Sequence, residues 1–493
     1  MSEHLTRYLD VTTILILAVF FLLLGYRPPW WRTRKPASND PNCLPGPLSL
    51  PIIGTRWVFT SFGGYNMEKI HEFYADMYEK FGPIVKEEAL WNVPVVSVFE
   101  RADIEIVLRS SGRYPVRPPT EAIAAYRRSR PDRYVSAGIV NEQGATWQHL
   151  RSALTSDLTS PRTISNYLPV IFEIADDFCN LIKTHRSTDN TIANLEHLAS
   201  RLGLEATCAL VLGRRMGFLL PDGESQTSRR LAKAVHEHFI SSRDTYYGLP
   251  LWKLWNTEAY KRLVKSEEEI YELALELVES ADDAVRESPV FQSVLRADVD
   301  DREKTAAIVD FIAAGIHTLS NSLLFLLYLI GANGCVQEKL HEELDTTSDY
   351  SYLKACVTES FRLLPTANCI ARITEQTLQL STHKINPGTV ILCHTGIACR
   401  NPSNFMNPSQ YKPERWLNGE KSKTASTATY IVAPFGVGRR SCPGKRFIEQ
   451  SLPVILERVA RRFVLENVQP LELRFEFLLV PKVPLVMKFV DRV

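Results

Sequence analysis

The sequence lacks an excess of charge of either sign. Its 57 basic and 56 acidic residues leave a formal net charge of +1, so no nucleic acid or other polyanion is predicted as a partner. It also lacks a pairing pattern among its nine scattered cysteines, which excludes a disulfide scaffold and favours a reducing compartment. No repeat and no low-complexity segment is present. A chain that is 45% hydrophobic can bury a large core.

Charge is absent from Val11–Leu24, close to the N-terminus. A full membrane span needs roughly 20 apolar residues, so this shorter run fits an anchor, an interfacial segment or part of a signal peptide. Basic residues and two tryptophans follow it, which is typical of a membrane interface, and no A-x-A-like cleavage site follows. We therefore predict a membrane anchor with a basic, proline-rich linker in residues 1–40, followed by one domain over 41–493.

A single cysteine lies in the glycine-rich stretch Phe435–Gly444. The glycines allow tight turns close to a flat ligand, Cys442 can present a thiolate to a metal, and Arg440 can pair with a carboxylate. The pattern F-x-x-G-x-R-x-C-x-G resembles the haem-binding loop of the cytochrome P-450 family. All five fixed positions match, namely Phe435, Gly438, Arg440, Cys442 and Gly444. The alternative is a buried free cysteine in a glycine-rich turn.

This resemblance implies a mainly α-helical fold with a small β region, as a single large haem domain behind the N-terminal membrane segment. It implies haem b (iron protoporphyrin IX) as the cofactor and Cys442 as the axial ligand of the iron. Family members insert one oxygen atom of O2 into a substrate C–H bond and release the other as water. A non-oxygenating haem-thiolate isomerase and a haem sensor or electron carrier are the alternatives from other classes.

Residues 303–331 are predicted to form one long helix, about 45 Å in length at 1.5 Å per residue. Residues 311–330 carry no formal charge, so a membrane span is an alternative. Polar side chains at the centre of this stretch would be left unsatisfied in hydrocarbon, which favours the core of a large soluble body.

The middle of this predicted helix resembles the A-G-x-acid-T oxygen-binding motif of the family. The matching residues are Ala314, Gly315, His317 and Thr318. The resemblance implies a groove for dioxygen at Gly315 and a hydrogen-bond donor at Thr318. His317 stands where the family usually has an acid. Histidine can relay protons near neutral pH, and a core histidine satisfied by a backbone carbonyl is the alternative.

Trp147 and Arg151 lie four residues apart on one face of a predicted helix. In the family such a pair binds a haem propionate, and a surface cation–aromatic pair is the alternative. Arg372 and Arg440 stand where the family has further propionate-binding arginines. Together these residues match the two propionate charges of haem b.

Glu359 and Arg362 form an E-x-x-R pair on one face of a predicted helix. Such pairs are common on exposed helices, but this one is followed by Pro413–Trp416, which matches a later segment of the family. The resemblance implies a buried ionic network of Glu359, Arg362 and Arg415 that supports the cysteine loop.

Several segments resemble arthropod members of the mitochondrial-type branch that act on the steroid ecdysone. They are Ser61–Met67, Val85–Pro94, Arg113–Ala122, Ser242–Lys253 and Asp310–Ser322. The resemblance implies a small-molecule steroid substrate, hydroxylated at carbon 20 to give 20-hydroxyecdysone. Another sterol, a fatty acid or a xenobiotic is the alternative. The segments implied to line the substrate pocket contain Asn368, Ile370, Leu478 and Leu479.

Lys354, Lys445 and Arg446 resemble the positions at which the mitochondrial branch docks an acidic ferredoxin, and solvated surface charge is the alternative. The resemblance favours an adrenodoxin-type ferredoxin with its reductase, at the mitochondrial inner membrane. The N-terminal membrane segment points instead to the endoplasmic reticulum membrane and the microsomal flavoprotein reductase. The sequence is therefore compatible with a ferredoxin at the mitochondrial inner membrane and with the flavoprotein reductase at the endoplasmic reticulum.

Overall fold

The computed structural model describes residues 44–279, 288–417 and 426–492, together with Thr13, Leu15, Ile16, Ala18 and Val19. From residue 44 onwards the helices are α1 (Ile70–Phe81), α2 (Arg101–Arg109), α3 (Glu121–Ser129), α4 (Gly138–Asn141), α5 (Gly144–Leu154), α6 (Pro161–His185), α7 (Leu195–Leu212), α8 (Gln226–Tyr247), α9 (Glu258–Glu279), α10 (Pro289–Arg296), α11 (Asp301–Gly331), α12 (Gly334–Thr346), α13 (Ser351–Leu363), α14 (Thr395–Ala398) and α15 (Lys445–Arg462). The strands are β1 (Ile84–Glu88), β2 (Pro94–Val98), β3 (Thr191–Ile192), β4 (Ile370–Ile373), β5 (Leu378–Leu380), β6 (His383–Ile385), β7 (Val390–Cys393), β8 (Phe463–Asn467), β9 (Leu473–Phe475), β10 (Leu479–Pro481) and β11 (Met487–Asp491). The predicted mainly α-helical fold with a small β region is confirmed.

Helix α11 runs through the centre of this body. Asp300 caps its start, because the side chain accepts a hydrogen bond from the backbone N–H of Arg302 (2.9 Å). The neighbouring helix α7 approaches closely, since a Cβ at Gly203 would lie only 2.6 Å from the carbonyl oxygen of Ile316. Among the described residues α11 is the one helix long and apolar enough to span a membrane, and 67% of its most apolar window is buried. The helix is therefore part of the protein core, and the membrane-span alternative is wrong.

Two buried apolar clusters flank this central helix. The larger cluster joins α6, α7, α13 and α15 to the C-terminal half of α11, and includes Phe178, Leu326 and Leu456. The second cluster joins α7, α8, α9 and α10 to the N-terminal half, and includes Leu231 and Ile312. Because both halves of α11 are packed, its position relative to the surrounding helices is fixed along its whole length.

The main sheet has the strand order β1-β2-β7-β4. Strands β1 and β2 are antiparallel, β2 and β7 are parallel, and β4 is antiparallel to β7 with Ile370 opposite Cys393. Strand β4 is therefore an edge strand, and it carries both Ile370 and Arg372. The other pairings are the hairpin β9-β10, the three-stranded sheet β3-β11-β8 and the hairpin β5-β6.

Only a few residues of the predicted membrane anchor are described. Thr13, Leu15, Ile16, Ala18 and Val19 are helical and exposed. Exposed apolar side chains on a helix fit contact with a membrane. The rest of the predicted anchor and linker in residues 1–40 lies outside the described residues, so the anchor stays a prediction.

Candidate active site

The cysteine loop leads into the N-terminus of α15. The backbone N–H of Cys442 donates to the carbonyl oxygen of Phe435 (2.8 Å), which closes the loop. Gly436 and Gly438 have φ angles of +72° and +76°, a region that side chains rarely adopt, so the turn requires glycine at both positions. A Cβ at Gly444 would lie 3.8 Å from the Cys442 sulfur, so glycine is not required there by crowding with this atom.

Cys442 is exposed, so the alternative of a buried free cysteine is wrong. The surrounding protein nevertheless raises the pKa of its thiol through desolvation. The backbone N–H groups of Gly444 and Lys445 and the charge of Arg151 act in the opposite direction. A metal ion stabilises the thiolate of a coordinating cysteine and overcomes a raised pKa of this kind.

Three arginines and a tryptophan predicted to bind propionates surround this loop. Arg151 on α5 and Arg372 on β4 each donate to a backbone carbonyl oxygen of the loop, at 2.8 Å and 3.1 Å. The guanidinium of Arg440 lies 3.9 Å from the ring centroid of Trp147. Trp147 is 1% exposed, so the surface-pair alternative is wrong. The structure thus brings all four side chains together at the cysteine loop.

Arg117, which the sequence did not single out, joins this cluster. Desolvation, and then the charges of neighbouring arginines, lower the pKa of Arg117 to about 10 and that of Arg440 to about 9. The buried Nε of Arg372 has no hydrogen-bond partner among the described residues. Because positive charges crowded together repel one another, this donor set calls for an anionic partner. Carboxylates of the propionate type match it.

A buried ionic network lies beside the loop. Glu359 accepts two hydrogen bonds from Arg362 (2.8 and 2.9 Å), one from Arg415 (3.1 Å) and one from the indole of Trp416 (2.9 Å). Glu359 and Arg362 are both fully buried. Phe361, on the same helix, packs edge-on against Phe435 with 5.3 Å between ring centroids. The three predicted residues therefore meet, and an aromatic contact links their helix to the cysteine loop.

Comparison with known proteins gives the same family as the loop. A family model described as Cytochrome P450 matches residues 44–489. The chain belongs to the cytochrome P450 family. It is 45% identical over 478 residues (91% of this chain and 88% of the relative) to the ecdysone 20-monooxygenase of Drosophila melanogaster.

More distant relatives of this P450 carry mitochondrial names. The chain is 30% identical over 86% of its length to a Drosophila protein named cytochrome P450 302a1, mitochondrial, of which 89% is covered. It is 26% identical over 91% of its length to the mitochondrial 1,25-dihydroxyvitamin D(3) 24-hydroxylase of Mus musculus, of which 89% is covered. The predicted resemblance to mitochondrial-type members of the family is confirmed.

Membership of the cytochrome P450 family shows which class of reaction the protein catalyses. This P450 is a haem b monooxygenase that requires O2, a small-molecule substrate and a source of electrons, as predicted. The residues fit the cofactor, since an exposed cysteine lies in the loop beside a cluster of arginines whose positive charges repel one another. When haem is bound, a cysteine thiolate favours O–O cleavage. The protein's own residues must then bind the substrate, exclude water and deliver protons.

The predicted oxygen-binding turn lies in the middle of α11. The hydroxyl of Thr318 donates to the carbonyl oxygen of Ala314 one turn earlier (2.7 Å), and Ala314 is exposed. In this orientation the hydroxyl proton points to the Ala314 carbonyl oxygen, and the hydroxyl oxygen can still accept a hydrogen bond. To act as the predicted donor towards a ligand, the Thr318 hydroxyl has to rotate away from Ala314.

Gly315 has a packing role in the structure beside the predicted one. A Cβ at this position would lie 2.7 Å from Cγ2 of Thr207 on α7. The missing side chain thus makes room for the Thr207 side chain of the neighbouring helix. The groove for dioxygen at Gly315 stays a prediction.

His317 is 14% exposed at its side chain and stacks on Phe239 of α8, with ring centroids 5.0 Å apart. Its Nε2 is buried without a hydrogen-bond partner among the described residues. Burial, and then the charge of His236, lowers its pKa to about 3. The imidazole is therefore neutral near pH 7, with one ring nitrogen unpaired.

The predicted pocket residues come from two segments that meet. The backbone N–H of Leu479 donates to the carbonyl oxygen of Thr366 (2.8 Å), which joins β10 to the chain that leads to Asn368 and Ile370. Asn368, Ile370 and Leu478 are partly buried, whereas Leu479 is buried and packs in the larger core cluster. The segments are adjacent as expected, but the Leu479 side chain contributes mainly to the core.

Proposed function

We propose that this P450 hydroxylates ecdysone at carbon 20 and produces 20-hydroxyecdysone. The observation that carries the proposal is the 45% identity, over nine tenths of the chain, to a relative named for that reaction. Another sterol, a fatty acid or a xenobiotic is the alternative substrate.

The chemistry of the residues near α11 supports a polyhydroxylated steroid. Such a site must bury a rigid apolar ring system and also hydrogen-bond several hydroxyl groups. Ile370 and Leu478 are apolar and partly buried, and Asn368 and His317 are polar and partly buried. A buried polar group left unpaired penalises a substrate without the matching hydroxyl more than an apolar wall penalises a missing methylene. Fatty acids are therefore expected to be poor substrates.

The test supplies the holoenzyme with ecdysone, O2, reductant, and an adrenodoxin-type ferredoxin with its reductase. The expected product is one oxygen atom heavier, with the new hydroxyl at carbon 20. The Cys442→Ala variant is the control for background oxidation. Good turnover of a precursor sterol or a fatty acid, with no product from ecdysone, would leave the monooxygenase class intact and reject the substrate.

We further propose haem-site roles for individual residues. Cys442 is the axial iron ligand, supported by its exposure and its loop. Trp147, Arg151, Arg372 and Arg440 hold the propionates, with Arg117 as an added member. Thr318 positions the proton that the reaction consumes. The haem domain over 41–493 follows an N-terminal membrane anchor in 1–40.

The proposed electron donor is a small ferredoxin at the mitochondrial inner membrane, with the microsomal flavoprotein reductase at the endoplasmic reticulum as the alternative. Mitochondrial names among the relatives support this choice. Lys354, Lys445 and Arg446 are all exposed, as a docking surface for an acidic partner requires. Reconstitution with each donor in turn decides between them, because turnover only with the flavoprotein reductase would reject the ferredoxin and its membrane.

A further inference from the structure

A fully buried carboxylate lies beside the oxygen-binding turn. Glu476, at the tip of the β9-β10 hairpin, is 0% exposed. Its Oε2 lies 3.2 Å from Nδ1 of His236 on α8 and 3.9 Å from Nε2 of His317 on α11. Its Oε1 pairs with Arg474. Three separate elements of the fold therefore bring an acid and two histidines into one cluster, and one of the histidines, His317, directly precedes Thr318 in the chain.

This cluster supplies the acid that α11 lacks. The family motif has a carboxylate directly before the threonine, whereas this chain has His317 there. Glu476 comes from the hairpin to within 3.9 Å of Nε2 of His317, and no sequence pattern connects the two positions. An acid close in space to the motif can supply the same chemistry as an acid within it.

We infer that Glu476 and His236 form a proton relay that feeds His317, and that His317 passes the proton to the turn at Thr318. The entry point is His236, whose side chain is 41% exposed. From there the proton moves to the carboxylate of Glu476, then to Nε2 of His317. The inference rests on the monooxygenase class and does not depend on the identity of the steroid.

The proton balance of the reaction requires such a supply. Monooxygenation consumes O2, a pair of electrons from the redox partner and a pair of protons, and leaves one oxygen atom in the product and the other in water. Each proton taken up at Thr318 must be replaced from solvent. His317 is neutral, so its ring can accept a proton on one nitrogen and release one from the other.

The surroundings of Glu476 allow it to gain and lose a proton. Burial raises the pKa of its carboxyl, and the positive charges of His236, Arg474 and Arg243 lower it. The charged and titratable groups that face the cluster are His236 and Arg243 on α8, His317 on α11, Arg474 on β9, and Asp244 and Glu68 beside Arg243. The net result is a raised pKa, which is the direction expected for a carboxyl that acts as a general acid.

The hairpin holds the carboxylate firmly in position. The backbone N–H of Glu476 donates to the carbonyl oxygen of Leu478 (2.7 Å), and Arg243 donates to the carbonyl oxygen of Phe475 (3.0 Å). Phe477 has a φ of +67°, which is rare for an aromatic residue and marks a constrained tip. The distance of 3.9 Å to His317 is longer than a hydrogen bond, and catalytic contacts commonly tighten once substrate is bound.

A metal is the other ligand that two histidines and a glutamate suggest, and the nitrogen and oxygen atoms lie within 4.8 Å of one another. Arg474 already pairs with the carboxylate, and the charge of Arg243 also acts on it. A divalent cation would therefore have to compete with two guanidinium groups. The charges around the cluster favour proton transfer over cation binding.

The test compares Glu476→Gln and His236→Gln with Glu472→Gln, which removes an exposed carboxylate from the same hairpin. In the holoenzyme, Glu476→Gln should lower product formed per electron about 100-fold and release the remaining electrons as hydrogen peroxide, within the usual range for a positioned acid. Haem content and the substrate-induced spectral shift should stay at the wild-type level, and Glu476→Asp should recover part of the coupling. A purely structural role would lower haem content and leave coupling unchanged.

A second readout needs no turnover. The infrared carbonyl band of a protonated buried carboxyl should be present in the wild type and absent in Glu476→Gln. In His236→Gln its pH midpoint should move upward, because a neighbouring positive charge is removed. His236 is partly exposed, so this variant keeps the test valid if Glu476→Gln does not fold. Wild-type coupling in both variants would overturn the relay. Tight binding of one zinc ion per protein, lost in His236→Gln, would also overturn it.

Discussion

In this P450 a buried carboxylate beside the cysteine loop and a buried carboxylate beside helix α11 have different surroundings. We call these two regions the cysteine side and the α11 side. Glu359, beside the cysteine loop, accepts five hydrogen bonds, from Arg362, Arg415, Trp416 and the backbone of Lys412. Glu476, beside α11, lies near positive groups, yet neither of its oxygens accepts a hydrogen bond of good geometry among the described residues.

The difference in hydrogen bonding indicates a structural function for Glu359 and a chemical function for Glu476. A fully satisfied buried network has one favourable geometry, so the Glu359 network can hold the cysteine loop rigidly. An incompletely satisfied carboxylate retains acceptor capacity and can exchange protons. The motif residues match the family on the cysteine side, whereas on the α11 side His317 departs from it. We conclude that the cysteine side is the common scaffold and that the α11 side carries what is particular to this chain.

The largest effect is expected at the iron ligand itself. Cys442→Ala should abolish haem binding or the red-shifted carbon monoxide band of a thiolate complex, because no other group in the loop can supply a thiolate. The reduced carbon monoxide difference spectrum measures this. Cys335→Ala is the matched control, since Cys335 is also exposed. An unchanged spectrum in Cys442→Ala would show that the ligand is misassigned.

The next largest effect tests the rigid network. Glu359→Gln leaves two buried arginines without their counter-charge, which typically costs about 3–5 kcal/mol. The free energy of unfolding, measured with denaturant, should fall by that amount. Glu72→Gln is the control, because the Lys69–Glu72 pair at 3.0 Å is more than half exposed on both sides and such pairs contribute about 0.2–1 kcal/mol. Equal losses in the two variants would contradict a structural role for the network.

On the α11 side the expected effect is on rate and coupling. Thr318→Ala should slow hydroxylation about 100-fold, since a positioned proton donor contributes roughly 10² to 10⁴. Substrate binding, followed as a spectral shift, should be retained. Ser322→Ala is the matched control, because its hydroxyl makes the same type of bond to the carbonyl oxygen of Thr318 (2.8 Å). Unaltered coupling of electrons to product in Thr318→Ala would remove the assigned role.

Much of the fold and of the cysteine side could be predicted because their signals are local. The helix predicted over 303–331 is observed as Asp301–Gly331, and the helix predicted to carry Glu359 and Arg362 is observed as Ser351–Leu363. Apolar periodicity and stop signals such as Pro365 fix such boundaries to within a few residues. The cysteine loop is equally local, since its pattern lies within ten consecutive residues.

The remaining features depend on contacts between distant parts of the chain. Glu476 meets His236 and His317 only after the hairpin has folded against two helices, so neither spacing nor periodicity reveals the cluster. Gly315 is explained by Thr207 on another helix. Arg117 lies in an irregular segment next to a proline and has no helical or strand pattern around it. Sequence motifs predict residue types at a site, and they miss partners that reach it from elsewhere.

A smaller effect is expected from Arg117. Its removal in Arg117→Gln deletes one charge-assisted contact to a carboxylate, worth about 1.5–3 kcal/mol, so haem should be lost at least about tenfold faster. Transfer of haem to an excess of apomyoglobin measures the rate. Arg113→Gln, an exposed position of the same segment, is the control. Equal rates of haem loss in the two variants would exclude Arg117 from the propionate site.

The smallest effect is expected on the surface of the cysteine side, where Lys354, Lys445 and Arg446 are exposed. Changing all three to alanine should raise KM for the ferredoxin several-fold and leave kcat unchanged, because exposed charges mainly steer association. Higher salt should weaken docking of the wild type more than that of the variant, because the variant lacks the three charges whose attraction to the ferredoxin salt would screen. The control changes three exposed lysines elsewhere, Lys233, Lys265 and Lys384. Identical KM values and salt dependence in the variant and the control would show that the cysteine side contributes no docking charge, and would limit its role to holding the haem.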